Sequence, residues 1–220
     1  MFDSILFDFD GVLADTEPIH FACWREVLTP FGIELTWDYY ERECIGVSDR
    51  DMLRRLGATR RPPISADEIW PSYSLKRRNF QARIAAAPPF LASTLDLIQD
   101  LKHSFKLAVV SSSHRSEVEP ALERAGIRDC FQAIVCGREV PNLKPAPDPY
   151  LCAAELLGVR RPLVVEDSDA GVAAGTAAGF EVLRLTHPEA LSAELRLRIK
   201  KGPAKACASP GHTREEDKLG

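Results

Sequence analysis

The feature that most constrains the fold is a short stretch near the start of the chain, DFDGVLADTE at residues 8–17. The apolar run Ile5-Leu6-Phe7 stands directly before it, and such a run is typical of a strand buried on both faces of a parallel sheet. Asp8 and Asp10 follow, and Gly11 permits a tight backbone turn directly after them. Open α/β sheets bind ligands at the carboxyl ends of their strands. The stretch therefore predicts two carboxylates at a ligand-binding edge, although acidic turn residues with solvated side chains are also common.

Four further apolar runs predict strands that alternate with helices, at residues 107–110, 133–136, 163–165 and 181–185. Strands that alternate with helices are joined by right-handed crossovers and form a parallel sheet. We therefore expect an α/β fold, with a parallel Rossmann-like sheet and helices on both of its faces.

A long helical segment separates the first strand from the others. Capping boxes at Ser48 and Ser65 open two of its helices; we expect Gly57 to end the first and Pro71 to kink or restart the second. After Lys200 the sequence loses its periodicity, which indicates a disordered tail. The predicted organisation is an α/β core domain, an inserted α-helical cap domain and a tail, at residues 1–15 with 87–199, 16–86 and 200–220.

Composition narrows the classes of function. Of the 220 residues, 45% are hydrophobic and 27% are charged, which is ordinary for a globular protein. The net charge of −4 argues against nucleic acid as the main partner. No apolar run approaches the ~20 residues of a membrane span, and we expect no signal peptide and no membrane partner. The six cysteines show no CxxC pair and no zinc-like spacing, so we expect buried reduced thiols and a cytoplasmic protein.

Polar residues follow several of the predicted strands, and in a parallel sheet these strand ends meet at one edge. Asp8, Asp10 and Asp167 are hard oxygen ligands suited to magnesium, with Glu166 near or behind them. Ser111 stands where a strand meets a helix N-terminus, a position that holds anions such as phosphate. Lys144 is followed by two prolines, Pro145 and Pro147, and supplies one positive charge. A magnesium ion and a lysine would remove the repulsion between an attacking carboxylate and a phosphate dianion.

These motifs resemble those of the haloacid dehalogenase (HAD) superfamily, and within it the β-phosphoglucomutase-like branch. The resemblance covers about residues 1–185 and is carried by DFDGVLADTE, Ser111, Lys144 in KPAPD, and Glu166-Asp167-Ser168 before Ala170-Gly171. It implies that Asp8 is the nucleophile and forms an aspartyl-phosphate. It further implies that Asp10 protonates the leaving oxygen and then activates water, while its backbone carbonyl joins the magnesium shell. The implied catalytic residues are Asp8, Asp10, Ser111 and Lys144, and the implied metal ligands are Asp8, Asp10, Glu166 and Asp167.

The resemblance also implies a set of substrate-binding candidates. Some lie in the cap, and others in the loop after the strand at 107–110. Aromatic and histidine side chains on a helix more often serve packing, and a basic run on a helix is usually a solvated face. The candidates are Ser112, Ser113, His114, His20, Trp24, Gly46, Val47, Arg50, Lys76 and Arg78.

The sequence thus predicts a magnesium-dependent phosphatase acting on a small phosphorylated metabolite, a sugar phosphate, as a monomer or weak homodimer. A phosphomutase is the alternative within enzymes. It must hold a bisphosphate by both ends, and the resemblance places an arginine for this where the chain has Asp49, followed by Arg50. A non-catalytic binding or regulatory module is the alternative from another class. Dehalogenation is disfavoured because Asp10 and the metal ligands would have no purpose in it. The chain also departs from the family in lacking a recognisable short strand after the fifth.

Overall fold

The computed structural model describes residues 1–45, 47–137 and 139–203; Gly46, Arg138 and residues 204–220 lie outside the described residues. Five parallel strands form one sheet within this part of the chain, in the order β3-β2-β1-β4-β5. All four residues of β1 are buried, which fits its place in the middle of the sheet. The strands are β1 (Ser4–Phe7), β2 (Lys106–Val110), β3 (Ala133–Val135), β4 (Pro162–Glu166) and β5 (Glu181–Arg184).

The register of the sheet brings the polar strand ends together. Phe7 of β1 lies beside Val109 of β2 and Val165 of β4. Asp8 is therefore level with Glu166 on one side and with the last residue of β2 on the other. Side chains that are far apart in sequence meet at this edge because neighbouring strands end at the same height.

Helices cover both faces of the sheet. Alternate strand residues point to opposite faces, so Ile5 and Phe7 pack with one group of helices and Leu6 with the other. One face holds α6 (Ala92–Leu101), α7 (Arg115–Arg124) and α10 (Leu191–Lys201), and the other holds α8 (Asp148–Leu157) and α9 (Asp169–Ala177). The predicted α/β fold with a parallel sheet is confirmed.

The helices between β1 and residue 86 form a separate apolar cluster built around Trp24, Tyr40, Leu53 and Ile69. Phe80 and Ile84, by contrast, pack into the cluster beside the sheet, so the segment is attached to the core near its end. We keep the proposed division at residues 16–86 and call this segment the cap. Its helices are α1 (Glu17–Leu28), α2 (Trp37–Glu43), α3 (Asp49–Thr59), α4 (Ala66–Ile69) and α5 (Tyr73–Ala86).

Three details of the predicted elements need comment. Gly57 does not end α3 but lies inside it, where a Cβ would overlap the backbone oxygen of Ile64. The break at Pro71 is confirmed, because a 3₁₀ turn (Trp70–Ser72) separates α4 from α5. Helix α2 had no counterpart among the predicted elements, although Thr36 caps it by accepting a hydrogen bond from the amide of Tyr39. The other 3₁₀ turns are Thr29–Phe31, Arg128–Cys130 and Pro188–Ala190.

The end of the chain differs slightly from the prediction. Helix α10 continues to Lys201, so the tail does not begin at residue 200, and the rest of the predicted tail from residue 204 lies outside the described residues. Among the described cysteines, Cys152 is half-buried and the other four are buried, and all are free thiols. No helix of the described residues has the length and apolar character needed to cross a bilayer.

Candidate active site

The carboxylate of Asp8 lies directly after β1 and is nearly buried, with 8% of the residue exposed. Its amide donates to the carbonyl of Val165, which continues the sheet pairing by one residue and fixes the position of the side chain. Gly11 then turns the chain with a φ of 73°, a conformation that favours glycine. A side chain at Gly11 would overlap the Asp167 carboxylate, so the glycine also lets this second acid approach the first.

Lys144 reaches this group from the loop that follows β3. Its ammonium donates to Asp8 Oδ1 at 2.7 Å, to Glu166 Oε1 at 2.6 Å and to the carbonyl of Val110 at 2.9 Å. All three of its protons are thus used. Burial alone would lower the pKa of Lys144, but the carboxylates of Asp8 and Glu166 hold that pKa above its ordinary value. The lysine is therefore a fixed positive charge.

Glu166 is fully buried at the end of β4 and holds Lys144 in place. Its Oε1 accepts from Lys144 and from the hydroxyl of Tyr150 at 2.7 Å. Its Oε2 accepts from the amides of Asp167 and Ser168 and from the Ser168 hydroxyl. A Cβ at Gly171 would overlap this carboxylate, so α9 can begin here only because residue 171 is a glycine. Both oxygens are occupied by protein donors, which places Glu166 behind the site.

Oxygen atoms of Asp8, Glu166 and Asp167 lie within 4.8 Å of one another, a spacing at which they can hold one cation. Burial, followed by the neighbouring carboxylates, raises the pKa of Asp8 well above its usual range despite Lys144. Burial and then Glu166 likewise raise the pKa of Asp167 to about 6. Such a group of buried acids with one lysine has uncompensated negative charge. Magnesium binds through one or two carboxylates and keeps several waters, so the donor set fits this ion.

Asp10 is held by two hydroxyl groups. Its Oδ1 accepts from Thr16 at 2.7 Å, and its Oδ2 accepts from Ser113 at 2.7 Å. The first hydroxyl comes from the entry to α1 and the second from the loop after β2, so both the cap connection and the core orient this carboxylate. His20 Nε2 lies 4.0 Å from Oδ1.

The loop after β2 contains the predicted residues Ser111, Ser112, Ser113 and His114. Ser111 is buried; its amide donates to the carbonyl of Val135, and its hydroxyl oxygen accepts from the amide of Ser113. Ser112 lines both of the cavities described below, whereas Ser113 and His114 line only the cavity on the side of the cap.

Two adjoining cavities form the cleft between core and cap. The acid cavity, of about 740 Å³, is lined by Asp8, Asp10, Lys144 and Asp167 together with the cap residues Val47 and Ser48. The cap cavity, of about 310 Å³, extends from it between α1, α5 and the loop after β2. Its lining includes Glu17, His20, Trp24, Tyr40, Asp49, Lys76 and Arg77.

Lys76 is the buried cation of the cap cavity. Its ammonium lies 2.8 Å from His20 Nδ1 and 5.2 Å from the centre of the Trp24 ring. Because an ammonium has no acceptor, Nδ1 must accept and the ring proton must reside on Nε2, facing Asp10. Burial and then Lys76 lower the pKa of His20 well below its usual range. Trp24 is buried in the cap cluster and faces the cavity as well.

The structure does not bring every predicted residue into the cleft. Arg50 donates to Asp67 at 2.8 Å and lies over the Trp70 ring, on a different surface of the cap. Arg78 is exposed on α5, and its neighbour Arg77 faces the cap cavity instead, paired with Glu117 at 3.1 Å. Gly46 lies outside the described residues.

Residues 5–185 match the sequence model of the family described as haloacid dehalogenase-like hydrolase. The chain belongs to this family. The predicted relationship to HAD hydrolases is therefore confirmed, and with it the prediction of an enzyme rather than a non-catalytic module.

Similar proteins include both phosphatases and a mutase. The chain is 30% identical over 181 residues to a phosphorylated carbohydrates phosphatase of Thermotoga maritima, covering 81% of this chain and 82% of that protein. It is 30% identical over 185 residues to the β-phosphoglucomutase of Bacillus subtilis, covering 80% of each. The structure of CbbY from Rhodobacter sphaeroides in complex with phosphate superposes with a TM-score of 0.65 at 29% identity, covering 86% of this chain and 88% of that one.

Several residues of this HAD site escaped the sequence analysis. Thr16 and Glu17 belong to the first motif itself, so their nearness to Asp10 was a usable signal. Tyr150 follows the KPAPD motif but carries no signal of its partner Glu166. Tyr40 lies on the unpredicted helix α2, so nothing in the sequence pointed to its contact with Glu17.

Proposed function

We propose that this HAD-family chain is a magnesium-dependent phosphatase that hydrolyses a small phosphorylated metabolite, a sugar phosphate, through an aspartyl-phosphate on Asp8. The observation that carries the proposal is the ion pair between Asp8 Oδ1 and Lys144 at the C-terminal end of β1, beside Asp10 and Asp167. A carboxylate fixed in this way can attack a phosphorus atom, and the ammonium offsets the negative charge of the phosphoryl oxygens.

The residues divide the reaction into two steps. Asp8 attacks phosphorus while the bond to the leaving oxygen breaks, and Asp10 gives that oxygen a proton. Asp10 then takes a proton from a water molecule that attacks the phosphorus, the bond to Asp8 breaks, and inorganic phosphate leaves. The hydroxyls of Thr16 and Ser113 keep Asp10 aimed at the reacting atoms in both steps.

Asp8 and Asp167 would hold the magnesium ion, together with the backbone carbonyl of Asp10. When bound, the ion supplies positive charge against the phosphoryl oxygens and keeps Asp8 ionised. Because Glu166 already accepts from five donors, we propose that it positions Lys144 and the strand end instead of ligating the metal. Ser111 and the backbone amides near it are the proposed phosphate contacts, with Ser112 at the junction of the two cavities.

The choice of phosphatase over mutase rests on the cap cavity. A mutase must grip a second phosphate there, for which a bidentate arginine is best suited. Arg50 is committed to Asp67 elsewhere on the cap, Arg77 is neutralised by Glu117, and Asp49 lines the cavity where a second phosphate would lie. One observation favours the alternative function, a phosphomutase: Lys76 is buried, and its ammonium lines the cap cavity, where it could contact a second phosphate.

The test measures inorganic phosphate released from a panel of phosphate monoesters, with magnesium and with excess EDTA. We expect turnover of sugar monophosphates that requires magnesium. A parallel assay supplies β-glucose 1-phosphate with a bisphosphate primer and follows both products. Free phosphate should exceed glucose 6-phosphate, and the reverse result would establish the mutase. No turnover of any monoester would refute both. The cytoplasmic location, the monomeric or weakly dimeric state and the absence of nucleic-acid or membrane partners stay predictions.

A further inference from the structure

Glu17 occupies the junction between the two cavities. It is the first residue of α1 and lines both the acid cavity, with Asp8 and Lys144, and the cap cavity, with Lys76. A substrate whose phosphoryl group lies against Asp8 must extend its organic part past this position to reach the cap. Glu17 therefore meets the atoms nearest the ester bond.

The carboxylate of Glu17 is held from one side. The hydroxyl of Tyr40 donates to Oε2 at 2.8 Å, and Tyr40 is itself buried in the cap cluster. Across the described ranges Tyr40 is its one hydrogen-bond partner, so Oε1 has no donor there. Oε1 is accessible from the cleft, so a ligand that displaces water from it must supply a hydrogen-bond donor in its place.

The other carboxylates that line the cap cavity, Glu117 and Asp49, each have a cation near them. Arg77 pairs with Glu117. Lys76 lies close enough to Asp49 to lower its pKa, although burial raises that pKa overall. The pKa of Glu17 is raised to about 7, first by burial and further by Asp10 and Asp167, against the opposing effects of the Tyr40 hydrogen bond and of Lys76. Glu17 has no ion-pair partner among the described residues, and Asp10 and Asp167 add like charge near it.

Resting on the phosphatase proposed above, we propose that Glu17 is a specificity-determining residue. It accepts a hydrogen bond from a hydroxyl group near the ester carbon and repels a second anionic group at that place. The site therefore selects neutral polyhydroxylated monophosphates over monophosphates that carry a carboxylate or a second phosphate close to the ester. Hydrogen bonding to a hydroxyl satisfies Glu17, whereas an anion adds like charge in a partly buried cavity.

The test uses a matched pair of substrates, glycerol 3-phosphate and 3-phosphoglycerate, which differ by a hydroxymethyl group in place of a carboxylate. We expect kcat/KM to favour glycerol 3-phosphate in the wild type. Glu17→Gln keeps the size and the acceptor for Tyr40 but removes the charge. It should reduce the preference at least about tenfold, chiefly by lowering KM for 3-phosphoglycerate. Acetyl phosphate has almost no organic part, so the kcat/KM of Glu17→Gln for this compound should be within about threefold of the wild-type value.

Two further variants separate charge from structure. Glu41→Gln makes the same substitution on an exposed position of α2 and should leave the preference unchanged. Tyr40→Phe removes the hydroxyl that holds Glu17 but keeps the charge; it should raise KM for glycerol 3-phosphate while 3-phosphoglycerate stays disfavoured. An equal preference in wild type and Glu17→Gln, with acetyl phosphate hydrolysed normally, would overturn the inference and leave the phosphatase standing. Failure of the wild type to hydrolyse these three compounds and every sugar monophosphate of the panel would remove the phosphatase itself.

Discussion

The acid cavity and the cap cavity hold their polar groups in different ways. In the acid cavity, Glu166 accepts from five donors and Lys144 uses all three of its protons. In the cap cavity, Glu17 has one partner among the described residues, and Lys76 lies among aromatic rings with His20. The first arrangement determines positions before any ligand binds, while the second leaves acceptors and charges for a ligand to satisfy.

The difference follows from the elements that carry each cavity. The register of the sheet determines where the residues at the ends of adjacent parallel strands lie, so their side chains contact one another in one arrangement. On a helix, successive side chains are rotated by about 100°, so a shift of one residue turns a side chain to a different face. We infer that the sheet edge sets the chemistry and the cap sets the substrate. Substitutions at the edge should therefore remove turnover of every substrate, whereas those in the cap should change preferences.

The largest effect is expected for Asp8→Asn. The variant keeps the size of the side chain but loses the nucleophile, so phosphate release should fall by more than about 10⁴-fold for all substrates. Circular dichroism and thermal unfolding should show an intact fold, because burial of a neutral amide in place of a carboxylate relieves charge repulsion. Activity within tenfold of wild type would contradict the role of Asp8.

A smaller and substrate-dependent effect is expected for Asp10→Asn. The amide oxygen can still accept from one of the hydroxyls of Thr16 and Ser113, and the amide nitrogen donates to the other, but the side chain cannot transfer a proton; general acid–base assistance is worth roughly 10²–10⁴-fold. Formation of the aspartyl-phosphate, measured as the burst of leaving group, should be impaired least for aryl phosphates, whose leaving groups need little protonation. If aryl and alkyl phosphates lose the same factor in this step, Asp10 has some other role.

The same contrast explains what the sequence could predict. Asp8, Ser111 and Glu166 follow apolar runs, and a parallel sheet must bring such ends together, so the acid cavity could be assembled from the sequence. Arg50 and Arg78 were assigned to the cleft because they are basic residues in the right segments, yet rotation on their helices turns them elsewhere. The contacts of Tyr40 and Tyr150 depend on tertiary packing that no local pattern encodes.

The third prediction concerns stability and tests whether Glu17 is a functional compromise. Its folded-state pKa of about 7 lies above its ordinary 4.5, so its contribution to stability is present at low pH and is lost as the pH rises through 7. A shift of this size corresponds to at most about 3 kcal/mol, and partial exposure reduces it. Glu17→Gln should therefore be more stable than wild type, and its advantage should grow by up to about 2 kcal/mol between pH 5 and pH 8.

Urea unfolding in EDTA at both pH values measures this difference, since a metal ion at the acid cavity would change the field at Glu17. Glu41→Gln serves as the control because Glu41 is exposed. Its free energy of unfolding should differ from that of wild type by a small amount that is the same at both pH values. A constant difference between Glu17→Gln and wild type across the pH range would show that the carboxylate titrates normally and is not strained by its position.

The smallest effect on activity is expected for Arg50→Ala. Its guanidinium pairs with an exposed Asp67 and lies 4.5 Å from the centre of the Trp70 ring. An exposed ion pair and an exposed cation–π contact are each worth about 1 kcal/mol or less, so stability should fall only slightly. Because the side chain lies outside both cavities, kcat/KM for sugar monophosphates should stay within about twofold of wild type.

Lys76→Met is the comparison within the cap: it removes a buried cation from the cap cavity and should lower kcat/KM clearly more than Arg50→Ala does. If Arg50→Ala instead lost tenfold or more, Arg50 would have to leave Asp67 and enter the cleft when the cap closes on substrate. The cap cavity would then contain the bidentate cation that a second phosphate requires, and the argument against a mutase would fail with it.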